Sequence, residues 1–105
     1  MIFTMTSWRV YELQLPGRDA RTRHIAGYNR AFKAPRVSPP IISDIDILHG
    51  TTEAEDGSTY QLLFSTKRNP IVSAKFEQWS ETSRATNVVE VTTTVKHLLS
   101  KRERS

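Results

Sequence analysis

The sequence predicts an α+β domain: a small antiparallel sheet of four or five strands centred on a hairpin over residues 41–67, with two short helices, about 70–79 and 94–101, on one face. Three observations predict it. Asp56-Gly57 is a dipeptide that tolerates the positive φ angles of a tight hairpin turn, and it lies between two arms of matching pattern. Asn69-Pro70 is a helix start, followed by Val72, Phe76 and Trp79 at i, i+4 and i+7. Tyr11, Leu13 and Leu15 alternate with Glu12 and Gln14, the period of a half-buried strand.

The first strand is expected within Phe3–Leu15, a stretch rich in Thr, Val, Leu and aromatics, and Leu15-Pro16-Gly17-Arg18-Asp19 reads as the turn that ends it. Thr22–Tyr28 reads as a second strand, with Gly27 marking a bulge or a close approach of another backbone. Pro35, Pro39 and Pro40 forbid a helix and remove ladder donors, so an extended connector is expected there.

If Asp56 and Gly57 form a two-residue loop, Ile47 faces Thr66, His49 faces Phe64, Thr51 faces Leu62 and Glu53 faces Tyr60, all on one side of the hairpin. The other side pairs Asp46 with Lys67, Leu48 with Ser65 and Asp44 with Asn69, and is polar. After the helix from Pro70, Ser80–Asn87 is loop-like. The β-branched run from Val88 favours a strand to about Thr92, and Val95, Leu98 and Leu99 form the buried stripe of a closing helix over 94–101. Arg102, Glu103 and Arg104 are expected to fray.

At 105 residues the chain is one domain, 1–105, enough to bury roughly two-thirds of its unfolded surface. Apolar residues at 37% and charged residues at 25% match neither a membrane protein nor a disordered one, and no apolar run approaches the length needed to span a bilayer. The first residues lack the basic start and long apolar stretch of an export signal, and a cytoplasmic location is the expectation. There are no cysteines, which excludes disulfides, thiolate catalysis and cysteine-ligated zinc.

The net charge of +4 points to anionic partners, but its distribution matters more than its sum. Arg18, Arg21, Arg23, Arg30, Lys33 and Arg36 stand against Asp19 alone, whereas residues 41–57 hold five acids and no Lys or Arg. Adjacent blocks of opposite sign can neutralise each other within the fold.

No glycine-rich phosphate loop, nucleophile elbow or dinucleotide fingerprint is present, so no enzyme activity and no cofactor are expected. Asp44-x-Asp46 places two carboxylates on one side of a strand, too few for a metal site, and His24, His49 and His97 are scattered. The expected function is therefore protein–protein binding as an accessory or inhibitory factor. Trp8, Tyr11, Phe76 and Trp79 supply aromatic area, and an uncovered sheet edge offers strand addition or a homodimer. The alternative is a nucleic-acid-binding module. In that reading Arg21, Arg23, Arg30, Lys33 and Arg36 neutralise phosphates, and Tyr28 or Phe32 stacks on unpaired bases.

Overall fold

The computed structural model describes residues 1–63 and 67–100. The chain folds in the order β1 (Ile2–Gln14), β2 (Thr22–Asn29), β3 (Ala34–Val37), β4 (Thr51–Glu53), β5 (Thr59–Leu62), α1 (Pro70–Thr82), β6 (Thr86–Glu90) and α2 (Thr92–Ser100). The α+β class holds, the described residues forming one sheet of six strands and two helices. Among the described residues, no helix is long and apolar enough to cross a membrane.

The sheet is organised around β1. That strand pairs antiparallel with β2, and on its other side with β5 through Ile2–Met5 and with β6 through Tyr11–Gln14. The hairpin of β4 and β5 is therefore peripheral, and its junction with β1 is parallel, so the sheet is mixed and not wholly antiparallel. A local pattern marks that a segment is a strand but carries no information on which distant strand it pairs with.

The hairpin register also differs from the expectation. Thr52, not Glu53, faces Tyr60, and Thr51 faces Gln61, not Leu62. Three residues make the loop, Glu55, Asp56 and Gly57, closed by Gly57 N to Ala54 O at 3.0 Å and Ala54 N to Ser58 O at 2.9 Å. Gly57 adopts φ +89, and the Asp56 carboxylate accepts from Ser58 N at 2.9 Å. This is a turn followed by a left-handed glycine, which adds one residue to the tight loop. One added residue turns the whole arm over: Thr52 and Ala54 are buried and Glu53 is exposed.

The segment before β4 is not a long strand arm. It folds back on β4 itself through bridges Ile41–Ala54 and Asp46–Thr51. Asp46 and Asp44 are accordingly not opposite Lys67 and Asn69. The expected partners Phe64, Ser65 and Thr66 lie outside the described residues, as do Arg102–Arg104.

Residues 38–42 close the sheet on itself. Ser38 N donates to Ile25 O and Ile41 N to Arg23 O, both at 2.8 Å, extending the ladder along β2. On the opposite side Ile42 N donates to Glu53 O and Pro40 O accepts from Glu55 N, both at 2.9 Å. The ring β2-β1-β5-β4-(38–42) is thus complete, a small barrel with its core inside.

That core contains Phe3, Met5, Trp8, Val10, Ile25, Tyr60 and Leu62, closed over by Val95 and Leu99 of α2. A bulge at Ser7, which has φ 49 and coincides with the register shift between Thr6 and Arg9, keeps Phe3, Met5, Trp8 and Val10 on the same side of β1. A second cluster lies on the outer face, where Val72 and Phe76 of α1 pack on Leu13 and Ala26, flanked by Tyr11, Tyr28, Val37 and Trp79. Ile25 and Ala26, adjacent in β2, belong to different clusters, as alternation requires. The helices therefore cover opposite faces of the sheet, not one.

Helix α1 begins where its cap dictates. The Asn69 side chain accepts from Ile71 N at 2.9 Å with Pro70 at the first helical position. Thr92, buried at the start of α2, accepts from Val10 N at 3.0 Å through its hydroxyl.

Candidate binding cleft

The seven residues of the basic segment do not form one surface. Strand β2 and the two sides of the sheet distribute them. Arg21 lies against backbone, donating to Glu12 O at 2.9 Å and Asn87 O at 2.7 Å. Arg23, directly opposite Glu12, pairs with its carboxylate at 3.4 Å. Tyr28 packs in the outer cluster.

Arg36 points to the barrel side, its guanidinium 3.9 Å from the Phe3 ring centre and its Nε 2.8 Å from the Tyr60 hydroxyl. Burial pushes the Tyr60 phenol up, and Arg36 partly offsets this. Just before this segment Arg18 pairs with Glu55 at 2.6 Å, which is the neutralisation between charge blocks that the sequence suggests. Arg30, Phe32 and Lys33 are exposed together in the β2–β3 turn.

That turn is built by Asn29. Its Oδ1 accepts from Ala31 N at 3.0 Å and Phe32 N at 3.3 Å, and Lys33 takes φ 52 to complete the reversal. Because Oδ1 is engaged by two backbone donors, the amide orientation is determined, and Nδ2 is the atom left over. Asn29 is buried, and its Nδ2 has no partner among the described residues. A buried donor left unpaired costs about 1–3 kcal/mol.

The turn opens onto a cleft of about 360 Å³, whose walls include Asn29, Phe32, Lys75, Trp79 and all four residues of β3. Successive side chains of a strand point to opposite faces. A cavity that touches all of Ala34, Pro35, Arg36 and Val37 therefore runs along the strand's outer edge and not over one face. Among the described residues, β3 is the terminal strand of the sheet and pairs with β2 alone. The cleft has Phe32 and Arg36 on one flank and Lys75 and Trp79 of α1 on the other. A shallower recess of about 230 Å³ continues it along α1 past Gln78 and Thr82.

Lys75, Trp79 and Asn29 have no part in the basic-segment reading. Lys75 and Trp79 are four apart on a helix and so share a flank, a signal visible in the sequence, but their meeting with β3 is set by tertiary packing.

The histidines are occupied elsewhere. His24 is fully buried against Trp79, its Nδ1–H donating to Ser38 O at 2.9 Å and its Nε2 accepting from the Thr22 hydroxyl at 2.8 Å. Burial lowers its pKa below the ordinary histidine value, against a smaller opposing effect of the Ser38 bond. His49, expected on the apolar side of the hairpin beside Phe64, is instead exposed in a turn. There its Nδ1 contacts the Asp46 carboxylate at 2.8 Å, which holds the Asp46 pKa down. Among the described residues no three His, Asp or Glu side chains are grouped to hold a metal ion.

Comparison with known proteins returns no match, either to family models, to curated proteins or to solved structures.

Proposed function

We propose that this chain is a non-enzymatic binding domain that acts on another protein, as an accessory or inhibitory factor in the cytoplasm, through the cleft along β3. The observation that carries the reading is the cleft itself, which exposes the edge of a terminal strand between an aromatic ring of the β2–β3 turn and an aromatic ring of α1. Aromatic side chains beside an open strand edge supply anchoring area together with backbone hydrogen-bonding groups. The nucleic-acid alternative is weaker, because it needs its basic residues on one face, whereas Arg21 and Arg23 bond Glu12 and Asn87 at the other end of β2 from the turn that exposes Arg30 and Lys33.

The test is site-specific photo-crosslinking in cells of origin. A crosslinking residue in place of Phe32 is expected to give one discrete protein adduct. The same residue in place of Ile42, equally exposed but outside the cleft, gives none, and Lys75→Glu weakens the adduct at position 32. Identical adduct patterns at both positions, or none at either, would overturn the proposal.

A further inference from the structure

We infer that the cleft takes an extended, acidic segment of the partner protein, added to β3 as a further strand. The inference rests on the protein-binding reading above and specifies its ligand.

The pairing pattern defines what the edge offers. Ser38 N points to Ile25 O, so Arg36 and Ala34, two and four residues back, direct their backbone groups toward Gly27 and Asn29 of β2. Pro35 and Val37 direct theirs outward. A proline is tolerated in a strand where its missing N–H faces away from the ladder, and Pro35 meets that condition. The outer edge thus presents Val37 N–H and the carbonyls of Pro35 and Val37, enough to seat an extended backbone. A helical ligand carries no free groups to meet them.

Charge decides what that backbone bears. Among the cleft's lining residues Lys75 and Arg36 are cationic and none is acidic. Arg30 and Lys33 stand exposed in the adjoining turn. Side chains of an added strand point alternately to the two flanks. Each flank pairs a cation with an aromatic ring, Arg36 with Phe32 and Lys75 with Trp79, so carboxylates can meet a cation and apolar side chains a ring on either side. Asn29, whose side chain builds the turn, lines the same wall. A second copy of this chain is a poorer occupant. Its other exposed strand, β6, ends in Glu90, already paired with Arg9 and Arg68.

The experiment is selection of random octapeptides displayed on phage against the full chain, followed by binding of the recovered peptides to Lys75→Glu and Phe32→Ala. Both are exposed positions whose replacement spares the core. Recovered sequences are expected to be rich in Asp and Glu and poor in Pro. Binding falls on the order of tenfold or more on Lys75→Glu, as for charge reversal at an interface. The Val37 amide and Asn29 side-chain amide resonances shift on saturation. Peptides without acidic enrichment, peptides that bind Lys75→Glu equally well, or no recovered peptides would overturn the inference. So would a single-stranded octathymidylate that displaces the peptides at physiological salt. If cross-linking at position 32 succeeds while peptide selection fails, the ligand chemistry is wrong and the protein-binding reading stands. Failure of cross-linking removes the reading itself.

Discussion

Gly27 lies where β2 crosses the bulge of β1. A Cβ placed there would stand 3.1 Å from the Met5 methyl carbon and 3.2 Å from Trp8 Cβ. The methionine end can yield, but Trp8 Cβ is tied to the backbone of a fully buried residue. Gly27→Ala is therefore expected to destabilise the fold by about 1–3 kcal/mol, the usual cost of overpacking, measurable by denaturant unfolding. The sequence marks Gly27 as a bulge or close-approach point, and the bulge belongs to the opposing strand. His24 gives a second residue-scale prediction. Its folded-state pKa is depressed because burial disfavours the imidazolium, so on acidification the unfolded chain takes up a proton that the folded chain refuses. His24's contribution is complete above its unfolded pKa, about 6.5, and is lost as pH falls from there toward the lower folded value. Unfolding free energy is expected to drop between pH 7 and pH 5. The drop should be shallower in His24→Asn, which keeps a donor toward Ser38 O but does not titrate; equal slopes would refute this.

At the scale of elements, α1 was legible because its signals are local. An Asn cap, a proline at the first position and an apolar stripe lie within ten residues of one another, and only the C-terminal end runs on to Thr82. The β4–β5 hairpin was legible as a hairpin but not in register. Asp-Gly suits both the two-residue turn and the three-residue turn with a left-handed glycine. What separates them is whether Thr52 or Glu53 is buried, which depends on the barrel the arm enters. Gly57 has φ +89 and open space around its Cα, so Gly57→Ala meets no clash and carries only the backbone strain. A loss of about 1 kcal/mol is expected in thermal unfolding. A neutral result would mean that the turn relaxes to another geometry.

Across the whole molecule, the ring closed by residues 38–42 encloses one cluster and leaves the other beneath α1. Strand β1, flanked on both sides, is the element whose exposure requires the ring to open. Its central amides and those of β2 are expected to exchange slowest with deuterium, while β6, exposed at all five residues, exchanges fastest among the strands. Comparable protection of β6 and β1 would contradict this hierarchy. The ring also explains why the basic segment, continuous along the chain, is discontinuous in space. β2 sends Arg23 toward the barrel's mouth against Glu12, while β3 returns Arg36 over Phe3 and the turn between them holds Arg30, Phe32 and Lys33 outside.

By itself the sequence determined the α+β class, the start and apolar face of α1, the strand character of residues 3–14 and 22–28, the strand-then-helix ending, and the turn at Asp56-Gly57. All of these follow from periodicity, capping and turn chemistry, which act over a few residues. Tertiary structure alone decided that β5 runs parallel to β1, that the helices lie on opposite faces, that the hairpin slips by one residue, and that Lys75 and Trp79 meet β3. Those outcomes depend on contacts between residues far apart in the chain. Their free energy comes from burying surface in a common core, and no local pattern specifies its partner.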